Sequence, residues 1–149
     1  MRIDRHEMMI KMAEVTAQRG TCDRLQVGAV IARDGRSIST GYNGNVSGMH
    51  HCRHYADKVP GTPCVTAMHA EANALLYAAR NGVSTEHADL YTTHEPCFDC
   101  ARLIVNAGIS RVFFKVPYRK HDGANLLIQL GYDVLKFNED YSLIQVRKS

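Results

Sequence analysis

Along the first twenty residues, Ile3, Met8, Met12 and Val15 recur at helical spacing. Asp4 and Glu7 stand as a capping box at the start, and Gly20 is the stop. The pattern then changes to an apolar run from Val27 to Ala32, a turn dipeptide Asp34-Gly35, and a second strand-like run from Ser37 to Tyr42, which together predict an antiparallel hairpin. Residues 43–66 carry no period and are rich in Gly, His, Cys and Pro, and a stretch of that length implies a functional or metallic organiser. Helix-forming residues resume from Ala70 to Ala79 and end at Asn81-Gly82. There follow a strand "ADLYTT", a helix from Cys97 to Ala107 closed by Gly108, a strand "RVFFKV", a helix from Ala124 to Leu130 closed by Gly131, and a strand "DVLKF". Strands separated by helices of about ten residues predict an α/β layered domain whose later strands run parallel.

Composition narrows the class. A chain of 149 residues suits one compact domain, residues 1–149, and 45% hydrophobic with 22% charged residues is ordinary globular usage. No apolar run approaches the roughly 18 residues of a membrane span, and "MRIDRHEMMIKMAEV" breaks its apolar positions with charge and has no small-residue cleavage site. A cytoplasmic protein with no membrane partner is expected. A net charge of +3, 7% aromatics, no Trp and no basic cluster argue against a nucleic-acid surface but leave room for a small anionic ligand. Five cysteines, two of them in a C-x-x-C, point to metal ligation or redox chemistry before a disulfide framework.

Two motifs give that choice its chemistry: His69-Ala70-Glu71 at a helix start, and Pro96-Cys97-Phe98-Asp99-Cys100 at another. Cys97 and Cys100 project from one side of a helix N-terminus, which favours thiolates, and the neutral imidazole of His69 completes a set of three zinc ligands. Three protein ligands leave a fourth position for water, the mark of a catalytic site. Glu71 is close enough to shuttle protons without binding the metal. Taken alone, C-x-x-C also suits a redox pair, and a closed structural zinc would need a fourth ligand, for which His94 is the nearest candidate. A redox pair explains neither His69 nor Glu71. The joint pattern H-x-E and P-C-x-x-C is the signature of zinc-dependent base deaminases.

With these motifs, and with "QVGAVIARDGRSISTGYNG" followed by a Cys/His-bearing insertion, nearly the whole chain resembles the cytidine/deoxycytidylate deaminase family, and more narrowly the deoxycytidylate deaminases. The resemblance implies a three-layer α/β/α fold, with a central mixed sheet of about five strands flanked by helices. It implies hydrolysis of dCMP to dUMP and ammonia, a supply of thymidylate precursor. Water activated by Zn2+ would attack C4 of cytosine, and Glu71 would protonate N3 and then the departing amine. His69 argues against free-nucleoside cytidine deaminases, where a Cys usually stands at that place. Deaminases of tRNA adenosine, guanine and riboflavin precursors share His-Ala-Glu, and 5-substituted dCMP is a further alternative substrate. A zinc-stabilised nucleic-acid module is the reading from another class.

By the same resemblance Asn43 of G-Y-N-G sits at the nucleotide site, although Asn43-Gly44 is also a strong turn dipeptide. Ala70 and Pro96 would shape the pocket wall; Tyr118 is placed to pack on the nucleotide, or alternatively in the core or an oligomer contact; and Arg19, Arg24 and Arg119 are candidate partners of the 5′-phosphate, each alternatively a solvated surface charge. Cys22, Cys52 and Cys64 with His54, or alternatively His51, would hold a second, structural zinc. Relatives of this kind are often hexamers regulated by dCTP and dTTP, so nucleotide effectors with Mg2+ and a homo-oligomer, hexamer or trimer, are expected. Val46 stands where the effector motif G-Y-N-G-x-P-x-G has Pro.

Overall fold

The computed structural model describes residues 1–52 and 64–149. It opens with α1 (Arg5–Ala17), whose N-cap Asp4 accepts a hydrogen bond from the His6 backbone N–H at 2.8 Å. The reciprocal arm of the expected capping box is missing, because Glu7 instead binds Lys11 at 2.7 Å, one turn along the helix. The buried face is also rotated from the expected one. Met9, Ile10, Ala13 and Ala17 are buried, Met12 is partly so, and Ile3, Met8 and Val15 are exposed. The cause is a close approach: a Cβ at Gly28 would lie 2.1 Å from the Ala13 carbonyl oxygen, so the helix meets the sheet through alanines. Met9 and Ile10 supply the bulk of the buried face, and Ala13 and Ala17 allow the approach that fixes its orientation.

The hairpin forms as expected from β1 (Gly28–Arg33) and β2 (Arg36–Tyr42), and Asp34 and Gly35 both take positive φ, 54° and 73°, as a type I′ turn requires. After it come α2 (Ala70–Arg80), β3 (Asp89–His94), α3 (Phe98–Asn106), β4 (Arg111–Val116), α4 (Asp122–Gln129), β5 (Asp133–Phe137) and β6 (Leu143–Gln145). One mixed sheet has the order β2-β1-β3-β4-β5-β6, with β3, β4 and β5 parallel and the other neighbours antiparallel. The sequence pattern missed β6, which has three residues, too few to show a period.

The strands alternate between two cores. Phe113 joins Met9, Ile10, Val30, Tyr91 and Phe137 under α1, whereas Phe114, Val112 and Leu90 pack with Ala74, Ile104 and Leu127 beneath α2, α3 and α4. This is the expected α/β/α sandwich, with one helix on one face and three on the other. Parallel β3 and β4 end side by side, with His94 opposite Val116, and the N-termini of α3 and α4 follow just beyond them. Crevices beyond the carboxyl ends of parallel strands are where such sheets bind ligands. Among the described residues no helix is long and apolar enough to cross a membrane.

Candidate active site

His69 is the N-cap of α2 and Cys97 the N-cap of α3, both in extended backbone conformation, so each helix start aims a ligand atom inward. The Cys97 Sγ accepts from the Cys100 backbone N–H at 3.5 Å, as a capping side chain does. His69 Nδ1 lies 3.4 Å from the Cys97 Sγ and 3.3 Å from the Cys100 Sγ. A tetrahedral zinc with bonds of about 2.3 Å to sulfur and about 2.0 Å to nitrogen would set those atoms about 3.5 Å apart, so the three side chains fit one ion. His94 is not the fourth ligand of this cluster: its Nδ1 pairs with the Thr93 hydroxyl at 2.8 Å, and burial lowers its pKa.

The trio also has the right charge preference. Hydrogen bonds from Cys100 and from the His69 ring pull the Cys97 thiol down to about 4, and the same Cys97 contact raises His69 to about 9. A thiolate beside an imidazolium is the arrangement that a divalent cation displaces when it binds sulfur as thiolate and imidazole as neutral ligand. Glu71, on the first turn of α2, is 4% exposed, and burial pushes its carboxyl up from the usual range. A carboxyl so placed holds a proton more readily than one in water, as a proton shuttle must.

Above the trio opens a cavity of about 500 Å³. Asn43, Ala70, Arg24, Tyr118 and Arg119 line it, as the sequence suggested, together with Glu71. Arg19 does not: it lines an adjoining depression that shares Cys22, Arg24 and Leu25 with the cavity, and its guanidinium lies 5.9 Å from the Tyr42 ring centroid. Pro96 is likewise absent from the lining; it is buried, with its carbonyl against Gly123 of α4. The Asn43 amide is largely occupied by structure, accepting from the Val27 N–H at 2.8 Å and donating to the Leu25 carbonyl at 2.7 Å. It therefore latches the segment that carries Arg24, and each end of the amide retains one further hydrogen-bonding position.

Sequence reasoning missed Glu95, a wall residue that is 5% exposed and whose two carboxylate oxygens lie 3.1 and 2.9 Å from His121 Nδ1. A Glu directly before Pro-Cys was the available signal. Its partner is 26 residues away, and nothing local announces it.

A second cluster lies at the loops. The Cys22, Cys52 and Cys64 sulfurs all lie within 4.8 Å of one another, with 3.5 Å between Cys52 and Cys64. Burial, with hydrogen bonds to the other two thiols, pushes Cys52 up to about 12. His54, the expected fourth member, lies outside the described residues.

The family model described as "Cytidine and deoxycytidylate deaminase zinc-binding region" matches residues 3–116. The chain belongs to this family. Among curated relatives of this deaminase, the deoxycytidylate deaminase of Mycobacterium phage D29 is 43% identical over 125 residues, covering 76% of this chain and 95% of that protein. ComE operon protein 2 of Bacillus subtilis is 36% identical over 147 residues, covering 98% of this chain and 78% of that protein. The deaminase is also similar to the crystal structure of dCMP deaminase from the cyanophage S-TIM5 in complex with dCMP and dUMP. That likeness has a TM-score of 0.83 at 36% identity and covers 92% of this chain and 99% of that one.

Proposed function

We propose that this deaminase hydrolyses dCMP to dUMP and ammonia with zinc held by His69, Cys97 and Cys100. The observation that carries the reading is the three-donor cluster beside a buried glutamate, at a cavity that Arg24 and Arg119 also line. Zinc at such a centre supplies a Lewis acid that makes water nucleophilic near neutral pH. Glu71 carries one proton of the attacking water to N3 as the C4–O bond forms, and then carries the second, from the new C4 hydroxyl, to the amine, which leaves as ammonia when the C4–N bond breaks and the C4 carbonyl forms. Ala70 and Tyr118 bound the base and sugar, and Arg24 and Arg119 take the 5′-phosphate. The relatives named above as deoxycytidylate deaminases support dCMP over tRNA adenosine.

The remaining parts of the reading follow the same family. The chain acts as a single domain, residues 1–149, in the cytoplasm. Cys22, Cys52 and Cys64 with His54 hold a second, structural zinc, which the convergence of three thiols supports. The enzyme assembles as a hexamer or trimer and responds to dCTP and dTTP with Mg2+. The test is ammonia release from dCMP, deoxycytidine and CMP in parallel, with Glu71→Ala as control. Turnover of dCMP, abolished in the variant while zinc is retained, is the expected result; no turnover of any of the three discards the mononucleotide reading.

A further inference from the structure

We infer that Glu95 is a positioning residue that grips both ends of the loop carrying Tyr118 and Arg119, and thereby sets the affinity of the cavity for the anionic end of its substrate. The inference rests on the dCMP reading for its ligand, but the geometry stands by itself. Residues 117–121 join β4 to α4, His121 being the N-cap. At the near end, the Glu95 backbone N–H donates to the Val116 carbonyl at 2.8 Å. At the far end, the Glu95 carboxylate takes the Nδ1–H of His121, the N-cap of α4. A carboxylate only accepts, so Nδ1 carries the proton. One residue thus closes the loop into a ring.

A second, independent contact fixes the same helix start. A Cβ at Gly123 would lie 2.4 Å from the Pro96 carbonyl oxygen and 2.7 Å from the Cys97 carbonyl carbon, so α4 begins directly on the turn that carries Cys97. The loop is short, and both its ends are referred to the segment from Glu95 to Cys97. Arg119 and Tyr118, which line the cavity, are therefore held in register with the metal ligands. Glu95 is buried with a 3% exposed side chain while His121 is half exposed, so the bond is sheltered on the carboxylate side, where a charge-assisted hydrogen bond is strongest. Supporting contacts of this kind decide whether a binding group sits within the tolerance its ligand needs.

The pair acts on binding and not on bond making. An Arg that contacts a phosphate remote from C4 holds ground state and transition state alike, and its loss raises KM with kcat unchanged. His121→Ala should raise KM for dCMP about tenfold, as a partial loss of uniform binding does. In the same variant kcat should stay within about twofold and zinc content should be unchanged. His121→Asn, which can still donate to Glu95, should recover part of the loss. Should His121→Ala fold poorly, Glu95→Gln reads the same bond from the other side. Limited digestion with trypsin supplies a readout that needs no substrate: cleavage after Arg119 and Lys120 should accelerate in His121→Ala. Unchanged tryptic cleavage, or a fall in kcat at constant KM, would overturn the inference. A wild-type enzyme inactive on dCMP would instead refute the substrate reading, leaving the tryptic rate to decide the clamp.

Discussion

Glu71 is buried at the wall of the cavity, and its place on the first turn of α2 is set by the same helix start that aims His69. Replacing it with Gln keeps the shape and removes proton transfer, so Glu71→Gln should lower kcat by about 10²–10⁴-fold with zinc content unchanged. That pairing of measurements separates a proton shuttle from a ligand, because Cys97→Ser or Cys100→Ser should lose the metal itself, read by metal analysis of the purified protein. At this scale the sequence was informative wherever function is local. His-Ala-Glu and Pro-Cys-x-x-Cys are legible because a helix N-cap and its first turn are consecutive in the chain. That Arg19 lines the adjoining depression and Arg24 the cavity was not legible, because the course of the chain between them and Val27 depends on the Asn43 amide, sixteen residues beyond Val27. Glu95 was overlooked for the same reason, since its meaning depends on His121.

Elements show where packing overrules pattern. The start of α4 lies against the Cys97 turn with no room for a side chain at Gly123. Gly123→Ala should destabilise the protein by about 1–3 kcal/mol, the usual cost of overpacking, and lower zinc retention with it. Denaturant midpoints and metal content measured on one preparation check both. Helix α1 teaches the converse lesson. Its two alanines bury against β1 with Met9 and Ile10 beside them, while Met8 and Val15 face solvent, so the apolar positions of the sequence fit two faces and the close approach at Gly28 selects one. The parallel strands were easier, because β4 is buried on both faces and its run of Val112, Phe113 and Phe114 needs no alternation to be seen.

For the molecule as a whole, two conditions should move stability. His6 stacks on Phe113 at 4.8 Å and shares a 2.6 Å hydrogen bond with the Tyr91 hydroxyl. Burial lowers its pKa from 6.5, with Arg111 and Arg5 adding to the effect and Asp4 and Asp89 opposing it. The unfolded chain therefore binds more protons than the folded one as pH falls through 6.5, so this contribution is present above that value and is lost below it. The thermal midpoint should drop on acidification from pH 7, and less so in His6→Gln. Metal is the second condition. If both thiol clusters bind zinc, the purified protein should hold two ions per chain, and Cys22→Ser should hold one while retaining activity. Chelation should lower the thermal midpoint of both proteins by mass action.

The order of the sheet carries a further consequence, for how copies of this chain can meet. Its two outermost strands are poor templates for another strand: β6 offers only three residues, and β2 exposes Arg36, Ser37 and Thr40. Short or polar borders of this kind deter the backbone pairing by which sheets fuse across molecules. Backbone pairing across these borders is therefore disfavoured, which leaves helices and loops, those at the cavity rim among them, as the surfaces through which copies of this chain could meet.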